Sequence, residues 1–551
     1  MKASIIGILL VTGLFTAAHA QNRSFGTLPL AQKPGASAGF GQKLENEKYK
    51  IAREVYDKLV AARGDIRNPV PPFALRKDEK SVAYINYDPL EIVLEEKAYD
   101  ICAKFGGDTA KAAIAFLIGH ELTHHYEKHA WRRGFAHDFK DLPIGMKLDS
   151  LMDDVAHETE ADYLGGFLAY SAGYGLFENG ADVIKKLYEG YSLPAKLPGY
   201  PSLPDRQELN RRTAQKLEDL INVFEMANLL TATGNYAEAV EFYKHVLLDY
   251  QSREIYNNVG VTITLDALQL FKENELKFRY PLELDLESSA SKGSGAADTR
   301  EILLNQALLF FDAAISLDPN YAPAYLNKAC AYALLGDTLR ARFYAETEAR
   351  RAVQRDSSFK KTGVDVDVLL GILAANAGDT GKAKKLFETA AATQYGALAA
   401  INLKLLNGEA LGEETPPPPG LGREKIDDQT MTSITDPDDG VLKRDDKRTI
   451  VLSDKIVFYQ NPKQGEKSYV IFSQNDAKGT TTFFHLTKPG YAGKTARKIG
   501  LGDSRKAIAE KYGEPKRSIE TPSGQILVYK NILFIVSGDK LTRWANYSEV
   551  K

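Results

Sequence analysis

The spacing of hydrophobic residues divides the chain into two parts. From residue 45 to about residue 407, apolar side chains recur at the period typical of amphipathic and buried α-helices. From residue 441 to the end they alternate with polar residues, which is the period of β-strands. The pattern therefore predicts a multidomain protein with a long, mainly helical region followed by a small α+β domain over residues 441–551.

The helical region opens with a unit that contains one predicted strand. Residues 81–86 alternate as a strand, and residues 91–94 either extend it or begin the helix that runs to Phe105. Two strongly apolar helices are predicted over residues 110–132 and 151–172. We expect these elements to form one domain over residues 45–217.

Beyond residue 217, small and aromatic residues recur at fixed offsets. Small residues let paired helices approach closely, and Pro319 is placed to end a helix. With the segment DPNYAPAYLNKA at residues 318–329, this pattern resembles the tetratricopeptide repeat, whereas a generic helical bundle is the alternative. The resemblance implies an α-solenoid over residues 218–407 that recruits protein partners. The recurring positions are Ala227, Gly234, Tyr236, Ala239, Tyr243, Ala307, Phe311, Ala314, Ala329, Gly336, Ala341, Gly371, Gly378, Ala383, Phe387 and Ala390.

Low-complexity segments interrupt these units. Residues 288–298 are polar and predict a loop within the repeats, and residues 408–440, with four prolines at 416–419, predict a linker. The C-terminal domain resembles the small helix-plus-sheet modules of bacterial envelope lipoproteins, which implies binding or scaffolding. Its predicted elements are strands at 449–459, 468–473 and 480–486, a helix at 504–512 and a hairpin at 525–536.

The N-terminus has the features of a secretory signal. Lys2 precedes an apolar run at residues 5–17, and Ala18-His19-Ala20 forms a small-x-small cleavage site. We expect cleavage near Ala20, a tether over residues 21–44 and a mature protein that is periplasmic or secreted. The longest later apolar run, residues 112–119, is too short to span a bilayer, so no transmembrane segment is expected in the mature chain.

The composition of the chain argues against nucleic-acid binding and against a metal site built from cysteines. The 551 residues carry a formal net charge of −3, so no overall basic field favours nucleic acid. The only cysteines, Cys102 and Cys330, fall in different predicted domains, and two buried thiols are the preferred interpretation over a disulfide. A bound metal must therefore find its ligands among histidines and carboxylates.

The apolar helix at residues 110–132 contains such ligands. His120 and His124 are four residues apart, so a helix presents both imidazoles on one face to a single metal ion. Glu121 lies beside them and is placed to act as a general base. Nitrogen ligands of this kind fit zinc, which takes three protein ligands in catalytic sites and keeps the fourth position open.

A third ligand is expected from the second apolar helix. Glu158 and Asp162 are four residues apart, so Glu158 can complete the coordination while Asp162 holds a ligating imidazole by its other nitrogen. His157 and Glu160 are alternative third ligands. Among the neighbouring histidines, His125 and His129 are interpreted as solvated or core-edge residues rather than ligands.

The two motifs, His120-Glu121-Leu122-Thr123-His124 and Glu158-Thr159-Glu160-Ala161-Asp162, together carry a resemblance. Over residues 50–215 the chain resembles the gluzincin peptidases, the family of HtpX, the CAAX prenyl protease and the periplasmic β-barrel-assembly-enhancing protease. The resemblance implies a zincin-type domain and a zinc endopeptidase that acts on unfolded or misassembled proteins in envelope quality control. A metzincin is excluded, because Glu127 and Ala130 replace its required glycine and histidine.

The chain departs from that family at Tyr200. Family members commonly carry His-Pro with Arg five residues after the proline, and this chain has Tyr200, Pro201 and Arg206. Tyr200 is predicted either to donate a hydrogen bond to the oxyanion of the reaction or to pack against Pro201. Arg206 is a further candidate for the substrate or oxyanion contact.

Two functions remain open from the sequence. In the first, the protein hydrolyses peptide bonds with Glu121 as base, and an extended substrate pairs with the strand at residues 81–86. In the second, it is a non-catalytic chaperone or assembly scaffold in which zinc only stabilises the domain. Glu121 favours the first, because a structural site needs ligands but no base.

Overall fold

The computed structural model describes residues 42–77, 81–129, 154–175, 179–196, 202–272, 275–282, 297–409, 424–461, 467–521 and 524–551. The predicted signal sequence, most of the tether, Tyr200 and prolines 416–419 lie outside these ranges. So does most of the polar loop predicted at residues 288–298. Among the helices within the ranges above, none is both long and apolar enough to cross a membrane.

The first unit packs its helices around a small mixed sheet. The helices are α1 (Glu47–Arg63), α2 (Glu96–Ala103), α3 (Gly107–Tyr126), α4 (Asp154–Ala169) with a π-helical turn (Tyr170–Tyr174) after it, and α5 (Gly180–Gly190). Helix α3 is central, because it contacts α1, α2, α4 and the sheet. Every residue from Ala112 to Tyr126 is buried, including the polar residues at its C-terminal end.

The sheet of this unit has the order β1-β2-β4-β3, with strands β1 (Gln42–Leu44), β2 (Phe73–Lys77), β3 (Ala83–Tyr87) and β4 (Leu90–Glu95). Strands β2 and β4 are parallel, and β3 pairs antiparallel with β4. Within the described ranges β3 is an edge strand. Residues 91–94 thus form a second strand, and residues 42–44, predicted as tether, pair with β2 because its outer edge is otherwise open.

The second unit is a series of helices in which each packs on its neighbour in sequence, and the turn Phe343–Ala349 joins α11 to α12. Its helices are α6 (Leu203–Thr233), α7 (Tyr236–Asp249), α8 (Arg253–Leu268), α9 (Ala297–Leu317), α10 (Ala322–Leu334), α11 (Thr338–Arg342), α12 (Arg350–Arg355), α13 (Lys360–Asn376), α14 (Thr380–Ala391) and α15 (Ala397–Leu406). Cys102 and Cys330 are both buried and not joined to each other.

Two helix pairs of this series pack in the same way. A Cβ atom added to Gly260 would lie 2.5 Å from the ring of Phe311, and one added to Gly371 would lie 2.5 Å from the ring of Phe387. Each phenylalanine therefore lies directly on the backbone of the preceding helix. The recurrence of this contact is the structural counterpart of the residue spacing seen in the sequence.

The boundary predicted at residue 217 falls inside a helix. Helix α6 runs unbroken for 31 residues, from Leu203 to Thr233. Its first half packs on α4 and α5, and its second half begins the helix series. The two units share this helix because its sequence contains no internal glycine or proline stop after Pro204.

The C-terminal domain is an antiparallel sheet of eight strands in the order β5-β6-β7-β8-β12-β11-β10-β9. The strands are β5 (Arg448–Val451), β6 (Ile456–Asn461), β7 (Ser468–Asn475), β8 (Thr480–Thr487), β9 (Arg517–Thr521), β10 (Gly524–Val528), β11 (Ile532–Ser537) and β12 (Lys540–Val550), with helices α16 (Met431–Ile434) and α17 (Arg505–Tyr512). The strand predicted over residues 449–459 is two strands, separated by a bend at residues 453–455.

Both faces of this sheet are buried. On β11, Leu533 and Ile535 belong to the core that the sheet shares with the helix series, whereas Phe534 and Val536 pack with α17. On the helix-series side, the rings of Phe458 and Phe242 lie 5.5 Å apart. Alternation along the strands therefore separates two hydrophobic layers.

Part of the predicted linker belongs to this domain. Residues 424–440 contain α16, which Thr430 caps through its side chain. Ile434 packs in a cluster with Val441 and Phe472 of the sheet domain. The described part of the linker predicted at 408–440 therefore packs on the sheet domain, because Ile434 reaches its core.

A buried ion pair joins the sheet domain to α6. Glu225 on α6 pairs with Arg543 on β12 and accepts hydrogen bonds from Tyr469 at 2.7 Å and Tyr170 at 3.2 Å. Burial alone raises the pKa of a carboxyl, but the Arg543 guanidinium outweighs it and holds the pKa of Glu225 below its ordinary value. Tyr170 belongs to the π-helical turn after α4, so the first unit, α6 and the sheet meet here.

We predict that Glu225→Gln lowers the free energy of unfolding by about 3–5 kcal/mol, because it leaves Arg543 buried without a counter-charge. The matched control is Glu218→Gln, which removes a half-buried partner 3.7 Å from Arg448 and should cost about 1 kcal/mol or less. Urea unfolding followed by circular dichroism compares the two midpoints. Equal midpoints would show that the buried pair does not hold the units together.

Candidate metal centre

The two helices that carry the predicted ligands cross at a pair of glycines. A Cβ atom added to Gly119 on α3 would lie 2.8 Å from the backbone oxygen of Gly165 on α4. One added to Gly165 would lie 2.7 Å from the backbone of Gly119 and His120. The backbones are therefore in direct contact, and only glycine leaves room for it. The crossing brings the residue after Gly119 against the first turns of α4.

At this crossing His120, His124 and Glu158 converge. Their potential ligand atoms all lie within 4.8 Å of one another. Nε2 of His120 is 3.1 Å from Nε2 of His124 and 3.3 Å from Oε2 of Glu158, and Nε2 of His124 is 3.6 Å from Oε1 of Glu158. Both histidines are buried. The predicted ligands are thus placed together by two different helices.

This donor set fits zinc. Two imidazole nitrogens and one carboxylate are a ligand combination of catalytic zinc sites. Two nitrogens bound tetrahedrally to one zinc stand about 3.3 Å apart, given zinc–nitrogen distances of about 2.0–2.1 Å. The 3.1 Å between the two Nε2 atoms is close to that value.

The charges of the cluster are interdependent. Burial lowers the pKa of His120, but Asp162 and Glu158 outweigh it and raise that pKa well above its ordinary value. Burial, with the positive charge of His120, lowers the pKa of His124 well below its ordinary value. The pKa of Glu158 is lowered despite burial, because the histidines favour its ionised form. The pocket therefore contains a carboxylate that attracts positive charge.

Asp162 lies behind the cluster rather than in it. Its Oδ1 is 2.8 Å from Nδ1 of His120, and its Oδ2 accepts a hydrogen bond of 3.3 Å from Asn210 of α6. A carboxylate accepts the N–H of Nδ1, so a His120 that binds a metal keeps its proton on Nδ1 and offers the lone pair of Nε2. Asn210 was not identified from the sequence, since it lies far along the chain on another helix.

Glu121 is one of the buried polar groups that lack an ordinary hydrogen-bond partner among the described residues. Its side chain is 1% exposed. Neither carboxylate oxygen has a hydrogen-bond partner of ordinary geometry among the described residues, although the backbone of Ile85 acts weakly to favour its ionised form. Burial, reinforced by the charge of Glu158, raises the pKa of Glu121 to about 8. A buried carboxyl of this kind requires a reason beyond packing.

The remaining predicted residues take other positions. Glu160 and His157 do not enter the cluster: Glu160 is 3.2 Å from Nε2 of His129, and the ring of His157 stacks on that of His129. The Nε2–H of His125 donates a hydrogen bond of 3.0 Å to the backbone oxygen of Pro69. His129, interpreted from the sequence as a solvated or core-edge residue, is 3% exposed and contacts His124.

Arg206 is buried at the start of α6, where it donates a hydrogen bond of 3.3 Å to the hydroxyl of Tyr188. Its charge also lowers the pKa of Glu158. Arg206 therefore acts on the cluster through its electric field. Tyr200 lies outside the described residues, and its role stays a prediction from the sequence.

The edge strand β3 lies beside this site, since it contacts α3. The N–H of Glu95 donates to the backbone oxygen of Val82, so the register places Ala83, Ile85 and Tyr87 with their backbone groups turned away from β4. The backbone of Ile85 acts on Glu121. The free edge of the sheet thus adjoins the cluster.

Comparison with known proteins identifies one part of the chain. Residues 310–343 match the family model of the tetratricopeptide repeat. No curated protein matches the chain. The match covers the end of α9 and all of α10 and α11, so the prediction of tetratricopeptide-like repeats is confirmed for this stretch. Such repeats are typical of protein–protein interaction.

We predict that Gly165→Ala destabilises the protein by about 1–3 kcal/mol and reduces its zinc retention, because the added methyl group collides with backbone. Gly166→Ala is the matched control. Its methyl group would meet only the end of the Leu217 side chain, at 2.5 Å, and that side chain can rotate. Thermal unfolding and metal analysis after dialysis test both variants. If the two behave alike, the helix crossing does not position the ligands.

Proposed function

We propose that this protein is an exported zinc-dependent metalloendopeptidase that hydrolyses peptide bonds in protein substrates. The observation that supports this most strongly is Glu121. It is a fully buried carboxyl beside two histidines and Glu158, and it has no ordinary hydrogen-bond partner in the described ranges. A base for peptide hydrolysis needs such a position.

Zinc would be held by His120, His124 and Glu158, whose ligand atoms converge. When bound, zinc supplies Lewis acidity, which polarises a peptide carbonyl and makes water an effective nucleophile near neutral pH. Asp162 keeps the proton of His120 on Nδ1 and so presents Nε2 to the metal. Asn210 holds the second oxygen of Asp162 in turn.

Glu121 is proposed to transfer the proton of the reaction. Burial raises its pKa to about 8 in the metal-free protein, and the positive charge of His120 opposes that rise. An added cation acts in the same direction as that positive charge and favours the carboxylate. The carboxylate accepts a proton from the attacking water and delivers it to the leaving amine.

Stabilisation of the oxyanion is assigned to two residues: Tyr200, which precedes α6, and Arg206, at the start of α6. Tyr200 is proposed to donate a hydrogen bond to the oxyanion. Arg206 supports the site electrostatically, because its buried guanidinium lowers the pKa of Glu158. Contact of Arg206 with the substrate itself is not required by this role.

The substrate is proposed to bind as an added strand on β3. The backbone groups of Ala83, Ile85 and Tyr87 are turned away from β4, and the substrate is proposed to pair with them. Ala83 and Ile85 are buried, so this pairing requires the edge to be uncovered first. Recognition through backbone groups selects for an extended segment and only weakly for sequence. Unfolded or misassembled proteins expose such segments, whereas folded proteins do not.

The repeats are proposed to recruit protein partners, and the C-terminal sheet to bind or scaffold. Both proposals assume that the chain is exported, as predicted. Partner recruitment and scaffolding in an exported protein favour a role in envelope protein quality control. A non-catalytic scaffold with a structural zinc is the weaker proposal. A structural site has no use for an uncompensated buried carboxyl such as Glu121, which costs stability.

We predict that Glu121→Gln retains zinc but lowers kcat for casein cleavage by about 100-fold to 10,000-fold, because the ligands remain and the base is lost. Asp108→Asn is the matched control: it makes the same chemical change in the exposed first turn of the same helix and should leave kcat unchanged. Undiminished cleavage by Glu121→Gln, with zinc still bound, would rule out the proposed mechanism.

A further inference from the structure

His129 reaches the second ligand by a reversal of the chain. Helix α3 ends at Tyr126, and Lys128 adopts the left-handed conformation with φ of 56°. The turn folds the chain back, so that Nδ1 of His129 lies 2.8 Å from Nδ1 of His124. Both rings are buried, at 3% and 4% exposed. A continued helix would instead place a residue five positions later on a different face.

The positions of the protons follow from these contacts. Nε2 of His124 faces the cluster, 3.1 Å from Nε2 of His120, and a metal ligand must keep a lone pair there. The proton of His124 is then on Nδ1 and is donated to His129, whose Nδ1 must accept. The proton of His129 is therefore on Nε2, 3.2 Å from Oε2 of Glu160, which accepts it.

One placement of the protons thus satisfies both hydrogen bonds, from His124 to His129 and from His129 to Glu160. The final acceptor in this series is the carboxylate of Glu160. His120 also has a carboxylate acceptor, because its Nδ1 lies 2.8 Å from Oδ1 of Asp162. The difference is that His124 reaches its carboxylate through an intervening imidazole. His157 supports that imidazole from the side, with ring centroids 4.4 Å apart and planes at 19°.

We propose that His129 is a positioning residue for the metal centre, which fixes the tautomer and ring orientation of His124, and that Glu160 fixes His129 in turn. This inference rests on the proposed zinc site. In this inference His129 and Glu160 orient a ligand but do not bind the metal themselves. Partners of this kind raise metal affinity by about 10-fold to 100-fold.

The test measures the zinc dissociation constant of the full chain by competition with a chromophoric chelator. His129→Phe keeps a ring to stack on His157 but removes the acceptor, and we expect the constant to rise by about 10-fold to 100-fold. His125→Phe is the matched control: Nε2 of that neighbouring buried histidine bonds to the backbone oxygen of Pro69 rather than to a proposed ligand, so the substitution should leave the constant unchanged. His129→Asn places an amide oxygen near the former Nδ1 and should restore most of the affinity.

Glu160 provides the second arm of the experiment. Because Glu160 acts through His129, Glu160→Leu should weaken zinc binding in the wild-type chain and add nothing in the His129→Phe background. The cobalt-substituted proteins report the same change as altered d–d bands, whereas thermal unfolding of the metal-free variants should be nearly unchanged. A merely structural role for His129 would shift unfolding and leave the cobalt spectrum intact.

The outcomes separate this inference from the proposed function. Tight zinc binding by the wild type and equally tight binding by His129→Phe would overturn the positioning role alone. Additive losses from His129→Phe and Glu160→Leu would overturn the relay through His129. Absence of zinc binding by the wild type itself would overturn the proposed function, and the inference with it.

Discussion

The direct contact of two backbones, at Gly119 on α3 and Gly165 on α4, is the constraint on which the site depends. The contact leaves no room for a Cβ atom on either helix. It places His120, which follows Gly119, within reach of Asp162 and Glu158, which lie one and two turns before Gly165. Helices with ordinary side chains at the crossing would stand 8–10 Å apart, and short carboxylate side chains would then miss the imidazole.

Helix α6 connects this crossing to the rest of the molecule. Near its start Asn210 holds Asp162, in its middle Leu217 packs on Gly166, and in its second half Glu225 pairs with Arg543 of the C-terminal sheet. A single helix therefore contacts both Asp162, which bonds to a proposed zinc ligand, and Arg543 of the sheet domain. The helix series begins on the same helix, so the proposed recruitment surface and the proposed catalytic site share one structural element.

Local spacing was sufficient to predict those parts of the site that lie on one helix. His120 and His124 share a face because a helix turns every 3.6 residues, and Glu158 and Asp162 share a face for the same reason. The contact of His129 with His124 does not follow from spacing, because the left-handed residue Lys128 reverses the chain and no helical period contains that turn. Asn210 and the continuity of α6 through residue 217 depend on tertiary packing, which spacing along the chain does not express.

The central claim is that the two histidines and the glutamate hold zinc with an open position for water. Zinc K-edge X-ray absorption on the purified full-length chain measures this coordination directly. The account predicts a shell of nitrogen and oxygen at about 2.0–2.2 Å with imidazole scattering from two histidines. A shell containing sulfur at about 2.3 Å, or a protein that retains no zinc, would contradict it.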